Sequence, residues 1–209
     1  MKNFKKILFI IIGIVIVGGI GALYYSYYQS QNYFVTDNAK ITAKMVAITS
    51  AYTGELKEWR VKEGDYVEKN TELGIQENAM PIKAPINGEI IRTNVIVDQV
   101  IVPGMEMATI ADSANTYIGA NIEETDISKI SEGQKVDVKI DAYPGIAFSG
   151  YIKEIGAATP AAFSQTMSFN TSGTYTKVVQ LIPVKIALYS DNERPLILGM
   201  NAEVKIHLK

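Results

Sequence analysis

The strongest constraint on this chain is an internal repeat between residues 47 and 110. Ser50-Ala51-Tyr52-Thr53-Gly54-Glu55-Leu56 aligns with Ala84-Pro85-Ile86-Asn87-Gly88-Glu89-Ile90, which sets Gly54 against Gly88 at an offset of 34 residues (88 − 54). The same offset pairs Val61 with Val95, Val67 with Ile101, Glu72 with Glu106 and Leu73 with Met107 without a gap. Each copy alternates apolar and polar residues between turn formers such as Gly64-Asp65 and Pro103-Gly104, the period-two pattern of half-buried strands. One copy alone has nothing to bury its apolar face against. Two copies facing each other across a pseudo-twofold axis close a small sandwich of short strands. The plainer alternative is a pair of unrelated hairpins in an ordinary β-domain.

Val61-Lys62-Glu63-Gly64-Asp65-Tyr66-Val67 in the first copy and Ile82-Lys83-Ala84-Pro85-Ile86-Asn87-Gly88-Glu89-Ile90 in the second resemble the two halves of a biotinyl/lipoyl domain. The resemblance implies one of two employments. In carrier enzymes a lysine on the hairpin between the halves takes biotin or lipoate. In the membrane fusion (periplasmic adaptor) proteins of exporters, of HlyD and EmrA type, the halves carry no cofactor and a long coiled-coil hairpin usually separates them. Here the joint is Gln76-Glu77-Asn78-Ala79-Met80-Pro81, which approaches the acceptor motif Ala-Met-Lys-Met but has Pro81 in place of the lysine. Lys83 lies two residues further on, in what reads as the next strand, so no cofactor is expected. The joint has ordinary loop length, which leaves no room for a coiled-coil hairpin.

Ahead of the repeat, Lys2, Lys5 and Lys6 precede an uncharged run over residues 7–23, from Ile7 to Leu23, followed by Tyr24, Tyr25, Tyr27 and Tyr28. As a helix this run rises roughly 26 Å, close to the hydrocarbon thickness of a bilayer. The tyrosines suit an interfacial belt, and the lysines place the N-terminus in the cytoplasm. A cleaved signal peptide has a similar start, with Gly19, Gly21 and Ala22 as its cleavage region. The apolar run exceeds the usual signal-peptide centre of roughly 7 to 15 residues, so a retained single-pass anchor is expected.

Residues 29–32 form a polar linker, and Tyr33-Phe34-Val35-Thr36-Asp37-Asn38-Ala39-Lys40-Ile41 reads as a strand leading to the first copy. Its Thr36-Asp37-Asn38-Ala39 tetrad resembles the lead-in strand of adaptors that serve major-facilitator multidrug exporters. After Ile110, residues 116–122 read as a strand and residues 123–130 as a short helix, with Thr125 or Asp126 as cap and Gly133 as its left-handed stop. Residues 136–141 alternate strictly, Tyr143-Pro144-Gly145 turns, and residues 148–155 return as the partner strand. The pattern Ala120-Asn121, Glu123-Glu124, Thr125-Asp126, Gly133-Gln134 and Asp141-Ala142-Tyr143-Pro144 resembles the β-barrel domain of the same adaptors.

Periodicity stops between Gly156 and Thr176, and loops of that length are usually functional. Phe163, Ser164, Phe169 and Asn170 are the candidate contacts there with a partner or a transported compound. Residues 177–186 again resemble the exporter adaptors, and the alternating end of the chain, with a turn at Gly199, supplies a closing strand.

Several function classes fall away. The chain has no cysteine, which removes disulfides, thiolate metal sites and lipid-modified cysteine anchors. The net charge is −2, and with three lysines inside the cell the outer part carries −5, a poor match for nucleic acid. No nucleophile elbow, phosphate loop or His-Glu-x-x-His motif is present, and the lone His207 sits in a terminal strand. Glu123, Glu124 and Asp126 suit a solvated helix start better than a cation site. Neither catalytic nor metal residues are assigned.

The sequence thus reads as mainly β: a transmembrane anchor in residues 1–28, a linker and lead-in strand in 29–46, a biotinyl/lipoyl-like β-sandwich domain in 47–111 (halves 47–77 and 82–111), and a β-barrel adaptor domain in 112–209 with the loop 156–176. The resemblance implies a non-enzymatic adaptor of an export system, multidrug efflux foremost, in the cytoplasmic membrane with its bulk extracellular or periplasmic. It would form homo-oligomers around a transporter of major-facilitator type, or secondly of ABC type, and extend its exit path. Without the coiled-coil arm, docking to an outer-membrane channel is in doubt, and a Gram-positive cell fits best. The alternatives are an anchored surface scaffold or sensor without a transporter, and a biotin or lipoate carrier modified on Lys83.

Overall fold

A computed structural model describes residues 2–77, 80–159, 179–189 and 194–208, with side chains in the first helix from Gly13 onward apart from positions 14, 22 and 30. Among the described residues, helix α1 (Lys2–Asn32) is followed by fourteen strands: β1 (Tyr33–Thr42), β2 (Met45–Thr49), β3 (Gly54–Trp59), β4 (Tyr66–Val67), β5 (Glu72–Gln76), β6 (Met80–Lys83), β7 (Gly88–Thr93), β8 (Val100–Ile101), β9 (Glu106–Ala111), β10 (Tyr117–Glu123), β11 (Lys135–Ile140), β12 (Ala147–Ile155), β13 (Leu181–Leu188) and β14 (Asn201–His207). The chain divides into two compact units, one of Met1–Lys40, Gly119–Glu193 and Asn201–Lys209, the other of Ile41–Ile118 and Arg194–Met200. The architecture is mainly β, a sandwich and a barrel: alternation in the sequence predicts the strands and the sandwich, and the resemblance to exporter adaptors implies the barrel.

The sandwich consists of two four-stranded sheets, β2-β9-β7-β4 and β6-β5-β3-β8. Adding the repeat offset to β3 and β4 reproduces the bounds of β7 and β8, and the substitution carries one sheet order into the other. Each sheet therefore takes strands from both copies, so neither copy can fold without its partner. Hydrogen bonds repeat as well. The Gly64 and Asp98 amides donate to the Ile90 and Leu56 carbonyls at 2.8 Å each, and the Asn70 and Gly104 amides donate to the Ala84 and Ser50 carbonyls at 2.8 and 3.1 Å. All four donors hold left-handed backbone, with φ of +90°, +70°, +71° and +81°. Leu56, Leu73, Ile90, Ile101, Met107 and Ile110 fill the interior. The interiors differ where Ser50 and Gln76 of the first copy stand opposite Ala84 and Ile110 of the second. The Ser50 hydroxyl donates to Gln76 Oε1 at 2.7 Å, and Gln76 Nε2 donates to the carbonyls of Tyr52 at 2.9 Å and Gly54 at 3.2 Å.

The barrel closes in the order β1-β10-β13-β12-β11-β14. In β11, Val136, Val138 and Ile140 point inward and are buried while Asp137 and Lys139 point outward, as strand alternation requires. Its hairpin partner β12 is reached through the anticipated turn: the Ile146 amide donates to the Tyr143 carbonyl at 3.2 Å, with Pro144 second and Gly145 third at φ +83°. Strand β1, which the sequence reads as a lead-in outside the barrel, is one of its staves, pairing Tyr33 with His207 and Thr36 with Val204. The short helix expected over residues 123–130 is confined to a 3-10 turn, Ile127–Lys129, because Glu123 is spent as the last residue of β10. Asp126 precedes that turn but caps it with no side-chain hydrogen bond. Gly133, expected as a helix stop, instead holds φ +83° in the tight turn from Ser131 to Gln134.

Helix α1 is continuous for 31 residues. Among the described residues no helix is long and apolar enough to cross a membrane. Those residues take in, with side chains, only part of the uncharged run from 7 to 23.

Candidate functional site

The tetrad Thr36-Asp37-Asn38-Ala39 sits where β1 departs from regular pairing. Thr36 faces Val204 and Ala39 faces Ala202, so three steps along β1 match two along β14 and one residue bulges out. The Asn38 amide donates to Thr36 Oγ1 at 3.2 Å, which holds the bulge, and Asn121 Nδ2 on β10 donates to Asn38 Oδ1 at 3.1 Å. Two sequence patterns that lie far apart in the chain thus meet in one hydrogen bond.

The bulge walls an open groove of about 670 Å³. Phe34, Val35 and Leu181 line it with apolar side chains, and Asp37, Glu123, Asp126 and Glu203 line it with carboxylates. Asp126 is paired with Lys129 at 2.6 Å and Glu203 with Lys139 at 2.9 Å. Phe34, Leu181 and Glu203 were not singled out by sequence reasoning. Pairing β14 with β1 in register would have found Glu203, whereas Leu181 depends on the three-dimensional closure of the barrel.

His207 forms a side-chain bridge between strands, with Nε2 2.7 Å from an Asp137 carboxylate oxygen on β11 and its ring edge-on to Tyr33 at 5.0 Å between centroids. Lys205 covers the Tyr33 ring at 3.8 Å. This cluster ties β14 to both of its neighbours, which is a packing role. Among the described residues there is no group of three His, Cys, Asp or Glu placed to hold a metal ion.

Phe163, Ser164, Phe169 and Asn170, the sequence candidates for partner contact, lie outside the described residues, as does the Ile7 side chain. Leu23, Tyr24 and Tyr25 are exposed on α1, together with Val15, Ile16, Val17 and Ile20. The Tyr25 hydroxyl accepts from Gln29 Nε2 at 3.0 Å. Lys83 is the last residue of β6 and is exposed, within the strand and not at the β5–β6 tip.

Two family models match this architecture: a YhbJ barrel-sandwich hybrid domain over residues 44–112 and a YknX-like beta-barrel domain over residues 116–206. YhbJ of Bacillus subtilis (strain 168), named as an efflux system component, is 41% identical over 209 residues, taking in 99% of this chain and 94% of its own length. The chain belongs to the membrane fusion protein family of exporter adaptors. It is a short form of membrane fusion protein, in which β5 and β6 follow each other without a coiled-coil hairpin. The colistin resistance protein EmrA of Acinetobacter baumannii is 34% identical over 129 residues, 61% of this chain and 36% of that protein, so this chain spans little more than a third of that relative. In fold, the solved periplasmic adaptor EmrA matches 84% of this chain and 98% of its own at 13% identity and a TM-score of 0.53. The membrane fusion protein Spr0693 of Streptococcus pneumoniae R6 matches 85% and 99% at 14% identity and a TM-score of 0.62. Membrane fusion proteins are non-enzymatic.

Proposed function

We propose that this chain is the membrane-anchored adaptor of a multidrug efflux system, assembling as several copies around a cytoplasmic-membrane transporter of major-facilitator type and extending its exit path. The observation that carries this reading is the full-length likeness to an efflux system component, together with the Thr36–Ala39 tetrad at the barrel groove, which resembles adaptors of major-facilitator exporters. The anchor is supported by the uncharged run from Ile7 to Leu23 within a single helix whose described apolar side chains are exposed on more than one face. Such a surface is costly in water and suited to lipid. Energy for export comes from the transporter. The compact β5–β6 joint leaves no arm for an outer-membrane channel, and the fold suits a cell with a single membrane.

The test is to cross-link the full-length chain in its native membrane, purify it, and identify what accompanies it by mass spectrometry. A polytopic major-facilitator transporter at near-stoichiometric yield is the expected result. Recovery of an ABC transporter would replace the partner class, and recovery of the chain without any transporter would overturn the adaptor reading in favour of a surface scaffold.

A further inference from the structure

The groove beside the β1 bulge joins two kinds of surface that packing alone does not call for. Its volume of about 670 Å³ falls within the range of drug-sized ligand sites, and its lining residues all belong to the barrel unit. Val35 and Leu181, which line it, are 53% and 36% exposed, so apolar surface is left to water there. Phe34 adds an aromatic ring. The described lining includes no lysine, arginine or histidine.

Its carboxylates differ in standing. Asp126 and Glu203 are matched by Lys129 and Lys139, whereas Asp37 and Glu123 have no ion pair among the described residues. The four are not gathered either, since no three acidic groups among the described residues are placed to hold a metal ion. Two uncompensated negative charges beside exposed apolar side chains suit a single positive charge on an apolar body and repel an anion. An aromatic ring adds attraction for a quaternary ammonium group. The groove lies at the end of the barrel that α1 enters. Phe34 is the second residue of β1, Glu123 the last of β10 and Leu181 the first of β13, and there the Glu124 amide donates to the Gln180 carbonyl at 2.9 Å.

We propose that this groove binds organic cations with an apolar body, such as quaternary ammonium compounds that carry an aromatic ring. Asp37 and Glu123 supply the negative charge, and Phe34, Val35 and Leu181 supply the apolar contact. The volume suits one such molecule. The inference deepens the proposed function by naming a class of exported compound, and it rests on that reading for the compound's route. With α1 in the membrane, the groove opens where the chain leaves the bilayer, so a compound released at the outer surface meets it first.

The probe is benzyltriethylammonium, measured by equilibrium dialysis against the full-length chain in phosphatidylcholine nanodiscs, with empty nanodiscs subtracted. Saturable binding is expected, about tenfold tighter than that of benzyl alcohol or benzenesulfonate, and weakening as salt rises. The double variant Asp37→Asn, Glu123→Gln should keep its unfolding midpoint and bind the probe about tenfold more weakly. Leu181→Lys, which sets a cation into the groove from an exposed position, should weaken binding as much. Absence of saturable binding, or binding unchanged in both variants, would overturn the site. Equal binding of all three probes would reduce the groove to an apolar surface and overturn the cation. Displacement of the probe by tetralysine at concentrations below those at which the probe itself binds would replace the compound with a basic peptide. Binding is read without any transporter, so its failure leaves the adaptor reading standing, whereas recovery of the cross-linked chain without a transporter leaves the groove's ligand in place and removes its route.

Discussion

The sandwich and the barrel hold their strands together by different means. In the sandwich, a backbone bond made by one copy has a counterpart made by the other, so each copy specifies the register of its neighbour over a short stretch of chain. In the barrel, closure waits for β1 and β14, whose paired residues Tyr33 and His207 stand at opposite ends of the chain. The difference teaches that duplication makes a β-core robust and readable, whereas closure leaves it dependent on one distant strand. Closure also removes the unpaired edges that an open sheet would expose.

The largest expected effect breaks this comparison at β1. A chain that starts at Tyr33 should retain a cooperatively folded barrel, and a chain that starts at Ile41 should lose it while the sandwich persists, as read by amide hydrogen exchange in the two units. Barrel protection surviving the loss of β1 would show that closure is not what holds it.

The next largest effects ask how strict the pseudo-twofold is. A methyl group on Gly88 would lie 2.1 Å from the Ala111 carbonyl oxygen, whereas one on the equivalent Gly54 would meet the Gln76 and Glu77 side chains at 3.3 Å. Gly88→Ala should cost about 3 kcal/mol or more and Gly54→Ala about 1 kcal/mol in denaturant unfolding. Equal costs would mean that the two turns are as alike in packing as in sequence. Between those two costs lies that of the Ser50–Gln76 pair. Ser50→Ala leaves Gln76 Oε1 buried without its donor and should cost about 2 kcal/mol, while the double variant Ser50→Ala, Gln76→Ile, which copies Ala84 and Ile110, should cost less than the single one.

The smallest effect concerns charge. Hydrogen bonding to Glu55 raises the Lys57 pKa above 10.5, so folding favours the protonated amine. That contribution is complete below 10.5 and is lost only as pH climbs beyond it, which leaves stability flat in this respect between about pH 6 and pH 9. The pair lies at the surface, with Glu55 half-buried, and Lys57→Ile, which copies Ile91 of the second copy, should leave the unfolding midpoint unchanged across that range. A pH-dependent midpoint shift would show a stronger coupling than the geometry supports.

These contrasts also mark what the residues reveal unaided. The sandwich was legible because Gly54 and Gly88 set the register and the buried positions follow at the same offset. Hairpin β11–β12 was legible because strict alternation flanks a Tyr-Pro-Gly turn. The role of β1 was not, since nothing local in Tyr33-Phe34-Val35 tells a stave from a connector; only Val204 and Ile206 across the closure decide it. The helix expected at Glu123 failed because an acidic pair followed by Thr-Asp reads as a helix start, while β10 claims Glu123 and leaves too few residues for more than one turn. The groove around the tetrad was half legible: the tetrad itself stood out, but the lining draws on β1, β10, β13 and β14, which meet only when the barrel closes.

Helix α1 ends at Asn32 and β1 begins at Tyr33, with the Leu208 amide bonded to the Asn32 carbonyl at 2.9 Å. The join has no slack. A pull along the helix therefore loads β1 lengthwise against β14 and β10 together, so that the hydrogen bonds on both sides bear the force at once instead of peeling in turn. The barrel is in that sense tethered by a stave and not by a string: tilting or sliding of the helix would be passed directly into the barrel wall.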